Sequence, residues 1–358
     1  MTLRPLSHWF SRSNFHVSLY LVLVFPFLLT TVGAVTLVGY LSYRSGQQAV
    51  TDLANQLMDE TAERIHERLD TYLHTSQQMV RLNQQVLEQG TLDLNNSAQL
   101  EQYFFQQVQT LSTLTSMQFA GATGSDVFVF RDRLGLASPV NSLLVSTATT
   151  SPNDRPFYRT DEQGRRLEIA HTVSNYDPRS RPWYAIAVQA KHQTWTPIYP
   201  WQSVPLASLT TVVPIYQNGQ LKGVLNSDVL LSDINLFLHS LNFSPSGQAF
   251  IIERSGALVA TSTQEQPFVK NMNGEALIRL QATHSQDVIT QAAATYVAQQ
   301  YRNLHDLQGQ QHFTFQAQKH RQFIQVTPYQ DREGLNWLVV TVIPESDFMQ
   351  QIHTNNTR

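Results

Sequence analysis

Apolar positions along the chain follow three successive patterns. From Val17 to Leu41 the run VSLYLVLVFPFLLTTVGAVTLVGYL carries no charge. It is long enough to cross a hydrocarbon core, which takes about 20 helical residues, and it predicts a transmembrane helix over 17–41. A cleaved leader would have a shorter apolar core and a small-residue cleavage site, whereas here the helical pattern continues past Arg44, so an uncleaved anchor is expected. Arg4 and Arg12 precede the run without an acid, and Asp52, Asp59 and Glu60 follow Arg44. This asymmetry puts residues 1–16 in the cytoplasm and everything after Leu41 outside it.

The second pattern steps by three and four. Met58, Ala62, Ile65, Leu69, Tyr72, Met79 and Val86 form a seam on a stalk helix over 45–89, which Gly90 ends. Such a helix rises about 65 Å. The seam can pair with a second copy in a parallel dimer or pack on the chain's own domains, and a homodimer through the long helix is the expectation. Leu100, Tyr103, Phe104, Val108, Leu111 and Leu114 predict a further helix from Ser97 to about Ser116.

Strand-like patterns follow. Asp126–Phe130 reads as a strand entering a turn and Leu167–Val173 as another, with the polar stretch from Pro139 to Thr160 between them expected to be a long loop beside a pocket. Pro182–Ala190 predicts a short helix with proline in its first turn. Asn218-Gly219 between Leu209–Tyr216 and Leu221–Leu230 is a strong hairpin signal, and it puts Asp228 near the end of the second strand. A helix over Ser232–Leu241 closes this unit. After Pro245 the order begins again: 247–260 echoes 126–137, and 323–343 echoes 209–230, down to Val-Pro-Ile-Tyr-Gln at 213–217 against Val-Thr-Pro-Tyr-Gln at 326–330. Two tandem α+β modules with antiparallel sheets, 97–241 and 242–345, are therefore expected, followed by an outgoing helix over 346–358.

At 358 residues the chain has room for two domains. A net charge of −3 without a basic cluster excludes nucleic acid as the natural partner. The chain has no cysteine, so it has no disulfide, thiolate metal site or cysteine nucleophile. His66-Glu67-Arg68 lacks the second histidine of a zinc helix, Gly121–Ser125 is too short for a phosphate loop, and His171, His192 and His239 show no metal-ligand spacing. The chain is expected to be no enzyme and to carry neither cofactor nor metal.

Binding chemistry concentrates in Tyr176-Asp-Pro-Arg-Ser-Arg181-Pro-Trp183-Tyr184, which Pro178 and Pro182 stiffen. Arg181 offers a planar fork to a carboxylate and Trp183 one more N–H. Asp228 can accept from an ammonium, and Tyr176, Tyr184 and Tyr199 can supply hydroxyls between the two poles. Cation at one end and carboxylate at the other suit a zwitterion such as a free amino acid. The same residues could instead form a structural Arg181–Asp228 pair with core aromatics, and Arg179 with Asp177 a surface pair of little worth.

The chain resembles the double Cache sensor domain: a long helix followed by two PAS-like modules, found in bacterial chemoreceptors, sensor kinases and cyclases. The amino-acid-binding subclass carries a tyrosine, Arg-x-Trp-Tyr, a downstream tyrosine and an aspartate at the end of the first module's hairpin, matched here by Tyr176, Arg181-Pro-Trp183-Tyr184, Tyr199 and Asp228. The resemblance implies that Arg181, Trp183 and Tyr176 hold the ligand carboxylate and that Tyr184, Tyr199 and Asp228 hold its ammonium. It also implies a membrane-anchored sensory domain of a longer receptor, periplasmic and attached to the bacterial inner membrane. Asn226 stands where a glycine or other small residue is expected, which predicts a shifted strand at Asp228. Alternative expectations are a sensor for a plain carboxylate or amine, or a protein-interaction ectodomain.

Overall fold

The computed structural model describes residues 19–135, 139, 141–148, 153–201, 206–270 and 277–348. It begins with helix α1 (Leu19–Glu88). Residues up to Leu53 form one unit. There Leu23, Phe25, Phe27, Leu29, Val32 and Val35 are all exposed, and the helix from Leu23 is long and apolar enough to cross a membrane. Arg4, Arg12, Val17 and Ser18 lie outside the described residues.

From Ala54 onward the chain forms a second unit. Met58, Ala62, Ile65, Leu69 and Tyr72 are buried within it, and Met79 and Val86 pack on the core of the first sheet. The seam expected to face a second copy is thus occupied by the chain's own modules. Heptad spacing specifies an apolar stripe but not what covers it. Gly90, with φ of +72°, ends α1: its N–H donates to the Leu87 carbonyl at 3.2 Å and that of Thr91 to the Val86 carbonyl at 3.2 Å. These two bonds satisfy two of the last open carbonyls of the helix.

The first sheet follows α2 (Ser97–Thr110), whose N-terminus Asn96 caps by accepting the Gln99 N–H at 3.1 Å. The helix expected to reach Ser116 stops at Thr110, because Ser116–Gly121 is strand β1, buried at every position. Next come β2 (Asp126–Asp132), β3 (Ser142–Ala148), β4 (Asn153–Thr160) and β5 (Arg166–Tyr176), then α3 (Pro182–Ala190). The long loop expected between Pro139 and Thr160 therefore contains two strands. The sheet is completed by β6 (Thr194–Trp195), β7 (Tyr199–Pro200), β8 (Ala207–Gln217) and β9 (Gln220–Leu230), and α4 (Leu231–Ser240) leads away. Its order is β5-β4-β3-β2-β1-β9-β8-β6, with β7 beside β8. Asn218 and Gly219 both take positive φ, 51° and 74°, as the expected two-residue hairpin requires.

Each face of this sheet has its own cover. Val80, Leu87, Phe104 and Val108 from α1 and α2 pack on Met117, Phe119, Val129, Val213 and Leu225. On the opposite face Trp183, Tyr184 and Ala187 of α3 pack on Ala120, Val212 and Val224. Burying each large side chain contributes about 1.5–3 kcal/mol, so α3 is fixed against the sheet it must serve.

The second sheet comprises β10 (Gln248–Glu253), β11 (Leu258–Thr261), β14 (Gln311–Ala317), β15 (His320–Gln330) and β16 (Asn336–Pro344), in the order β11-β10-β16-β15-β14. Between β11 and β14 lie a ribbon of β12 (Phe268–Lys270) with β13 (Leu277–Arg279), and helix α5 (Val288–Gln300). No element was expected between Ser262 and Gln322. Glu345–Phe348 start a helix; the rest of the expected outgoing helix lies outside the described residues.

Candidate functional site

Local chemistry folds the motif. Strand β5 ends at Tyr176, after which Asp177 accepts the Arg179 N–H at 2.9 Å and opens a short 3₁₀ turn over Pro178–Ser180. Arg179 closes back on Asp177 at 2.8 Å as a half-exposed pair of little energetic worth. Arg181 is extended, with φ −81° and ψ 146°, as a residue before proline should be, and Pro182 then opens α3. Tyr176, Arg181 and Trp183 thereby reach one small cavity, of about 50 Å³, which Tyr199 and Asp228 also line. The Trp183 indole N–H has no acceptor among the described residues.

Tyr184 does not line this cavity. It follows Trp183 on α3, about 100° further round the helix, and its ring packs beside that of Trp183 in the core between α3 and the sheet. Burial pushes its phenol up. The other five residues expected from sequence meet at the cavity.

Among the described residues, Asp228 is held by hydroxyl groups. Ser116 Oγ accepts its backbone N–H at 2.8 Å and donates to Oδ2 at 3.0 Å. Thr210 Oγ1 donates to Oδ1 at 2.7 Å, which leaves the Tyr199 phenol, 2.9 Å from Thr210, to act as donor to it. Ser208 Oγ also reaches Oδ1, at 3.2 Å, and receives the Trp201 indole N–H at 3.0 Å. No Arg181–Asp228 pair forms; among the described residues the hydrogen-bond partners of this carboxylate are Ser116, Ser208 and Thr210. Burial pushes the carboxyl up from its ordinary value, opposed by the three hydroxyls and by the charge of Arg155. Burial likewise pushes up the Tyr199 and Tyr176 phenols. A carboxylate preorganised by hydroxyls and, among the described residues, without an ion-paired cation is suited to receive one from a ligand.

The model of the dCache_1 Cache domain matches residues 42–352. The chain belongs to the Cache-domain family. Among curated proteins it is 33% identical over 93 residues to the methyl-accepting chemotaxis protein PctB of Pseudomonas aeruginosa, covering 26% of this chain and 15% of that one. It is 25% identical over 203 residues to PscA, a methyl-accepting chemotaxis protein of Pseudomonas syringae pv. tomato, covering 56% and 28%. Adenylate cyclase 1 of Rhizobium meliloti matches at 27% over 129 residues, 35% of this chain and 19% of that one. The chain therefore spans less than a third of these relatives. A similar solved structure is the ligand-binding domain of the Pseudomonas aeruginosa PAO1 amino acid chemoreceptor PctC in complex with GABA, at 19% identity, a TM-score of 0.48, and coverage of 80% of this chain and 97% of that one.

In this Cache domain the expected strand shift at Asn226 does not occur. Strand β9 keeps its register from Val224 to Leu230, with Asn226 opposite Gln118 on β1 and Asp228 opposite Thr210 on β8. The Asn226 side chain is accommodated because its Nδ2 donates to Gln118 Oε1 at 3.1 Å. Gln118 in turn donates to Asp126 Oδ1 at 2.6 Å, extending a polar row under the cavity.

Sequence reasoning missed the cavity's second cation. Arg155 of β4 is buried and ion-paired with Asp126, which opens β2. Its guanidinium lies over the rings of Phe128, Phe157 and Tyr176, at 4.8, 5.1 and 4.4 Å from their centroids. The sequence signal was an arginine before Pro156 in a polar stretch, which reads as loop.

Proposed function

We propose that this chain is the extracytoplasmic sensory part of a transmembrane signalling receptor and that its first module binds a free amino acid. One observation carries the reading: Arg181 and Trp183, whose indole N–H has no acceptor among the described residues, line the same cavity as the hydroxyl-held, buried Asp228. A ligand with carboxylate at one end and ammonium at the other matches these groups. Relatives named as methyl-accepting chemotaxis proteins and an adenylate cyclase support a signalling context with different outputs. We assign the division into modules 97–241 and 242–345, inner-membrane anchoring through the apolar part of α1, and a periplasmic site to this same reading.

Signalling would use population shift: ligand closing the cavity favours one packing of the sheets on the stalk, and a shift from 1:99 to 99:1 takes about 5.5 kcal/mol of differential affinity. The first module reaches that helix directly, since Gln217 Nε2 donates to the Leu87 carbonyl at 2.7 Å and Asn83 exchanges amide hydrogen bonds with Gln107 of α2. Homodimerisation remains part of the proposal, with the stalk's exposed face rather than its buried seam as the contact.

A thermal-shift screen of the chain in lipid nanodiscs against amino acids, small carboxylates and amines tests this. Binding to the native state alone adds about 2.7 kcal/mol at a hundredfold excess over Kd. Shifts with amino acids, abolished in Arg181→Ala, are expected. Shifts confined to plain carboxylates would remove the ammonium pole, and silence with every compound would favour a protein-interaction ectodomain.

A further inference from the structure

Two buried carboxylates bracket helix α4, one in its first turn and one just past its end. The first is Asp233, which accepts the Thr115 hydroxyl at 2.9 Å and pairs with Arg133 at 2.9 Å. Thr115 is followed by Ser116, whose hydroxyl donates to Asp228 at 3.0 Å. This dipeptide thus grips both the acid that lines the cavity and the helix that begins at Leu231, three residues on. Leu231, Ile234 and Leu238 are buried along α4, and Asn235 Oδ1 accepts the Thr261 N–H of β11 at 2.9 Å.

The far end of α4 runs into a stiff turn. The Ser244 carbonyl accepts the Gly247 N–H at 3.3 Å across Pro245, and a Cβ at residue 247 would come within 2.6 Å of the Phe243 ring. This turn aims two donors at one acceptor. The Ser244 hydroxyl and, at 2.8 Å, the Ser246 N–H both donate to Oδ2 of Asp347. Asp347 lies in the first turn of the helix that opens at Glu345, is only 5% exposed and has no ion pair among the described residues. Leaving that buried charge without its donors is costly, so turn and helix move together. The second sheet holds the same helix by a partly exposed Arg321–Glu345 pair at 3.3 Å and by an edge contact of Phe348 with Phe323.

We propose that α4 is a relay between the first module and the outgoing helix. A change at Asp228 passes through Ser116 and Thr115 to Asp233, along a ten-residue helix that rises about 15 Å, and through the Ser244–Gly247 turn to Asp347. The second sheet serves as its support. That a ligand drives the relay rests on the zwitterion reading; the mechanical link does not.

Hydrogen exchange of the chain in nanodiscs, without ligand, decides the link. Thr115→Val removes a donor from Asp233, and Asp347→Asn removes the charge held by the turn. The two residues share no hydrogen-bond partner, and unconnected sites combine additively to within about twofold in a rate ratio. In the relay the second break adds little to the first: the Ser246 N–H and residues 345–348 of the double variant should exchange about fivefold or more slower than the product of the single effects. Arg321→Met, which loosens the same helix from the second sheet, should combine additively with Thr115→Val. Additivity with Asp347→Asn, or an equal departure with Arg321→Met, overturns the relay. A mixture of the common amino acids is then added. A rise in Tm together with altered exchange at 345–348, the latter lost in Asp347→Asn, is expected. A rise in Tm without altered exchange there overturns the relay and leaves the zwitterion site standing. No rise in Tm overturns the zwitterion reading, and the ligand-free cycle still decides the relay.

Discussion

The two sheets share one strand order, since the stretch β2-β1-β9-β8-β6 of the first repeats as β11-β10-β16-β15-β14 in the second. In the first sheet Gln118 pairs with Asn226 and Thr210 with Asp228; on the corresponding strands of the second, Phe250 pairs with Val340 and Ile324 with Val342. These rows face the crossover helix in both, α3 in one and α5 in the other. One copy has filled the space beneath its helix with hydrocarbon, and the other has kept a carboxylate, amides and hydroxyls there. The first sheet also adds β3, β4 and β5 beyond β2, and this extension brings Arg155 and the Tyr176 end of the motif to the cavity. The polar cavity of the first sheet therefore follows from polar residues within a shared strand order plus three extra strands.

Transplanting the acid should break the comparison most sharply. Val342→Asp puts a carboxylate among Phe250, Ile324 and Val340 with none of the hydroxyls that hold Asp228. The expected loss is about 5 kcal/mol or more, read as a collapse of the urea midpoint. A variant that stays within about 1 kcal/mol of the parent would show that the second core accommodates charge, and that the polar row of the first needs no functional explanation.

Removing a charge from the first sheet comes next. Arg155→Met should cost about 3 kcal/mol or somewhat more, because Asp126 is left buried without its cation. Adding Asp126→Asn should restore most of it. A double-mutant cycle showing simple additivity would mean that the two side chains do not act as a pair.

How much of this contrast the sequence reveals depends on locality. The Asn218-Gly219 hairpin and α3 are written in contiguous residues, and they stand where expected. Strand β1 was missed because the helix was expected to run to about Ser116 and the alternation Ser116-Met-Gln-Phe119 behind it spans too few positions to set a period. Strands β3 and β4 were hidden by their serines, threonines and Pro156, and with them Arg155. The seam on α1 was legible as a seam, but its partner is a matter of tertiary packing. Tyr184 shows the same limit at single-residue scale: adjacency to Trp183 in sequence implied a shared site, whereas helical rotation turns it into the core.

The hairpin turns differ as well. Asn218-Gly219 closes the first in two residues, but the second is longer and built on Asp331, which accepts the N–H groups of Glu333 at 3.1 Å and Leu335 at 2.7 Å. Asp331 Oδ2 also receives the Trp195 indole N–H of the first sheet at 2.6 Å and Gln77 Nε2 of the stalk at 3.0 Å. This carboxylate ties both sheets to the helix. Trp195→Phe should lose about 1.5–3 kcal/mol in urea unfolding, the worth of a hydrogen bond to a charged group. An unchanged midpoint would mean that Gln77 and the turn alone hold Asp331, and that the sheets are joined elsewhere.

Asp228→Asn should have the smallest effect on stability, and its sign carries the information. Burial raises the Asp228 carboxyl above its ordinary value of 3.8. The folded chain then holds that proton more tightly than the unfolded one, so the group's contribution to stability is fully present below the ordinary value and declines as pH rises through the raised one. Asparagine has no such proton. Without ligand, the variant should melt a few degrees above the parent near neutral pH, and the two should converge in acid. Ligand reverses the order, because an ammonium needs the ionised carboxylate: the rise in Tm that an amino acid gives the parent should grow with pH through the same window and be absent from the variant. Melting curves across pH, with and without amino acid, measure both signs. An unliganded variant that melts below the parent at every pH would mean that Ser116, Ser208 and Thr210 already stabilise the charge on their own. Asp228 would then be a satisfied core group, no different in kind from the hydrocarbon that fills the same place in the second sheet.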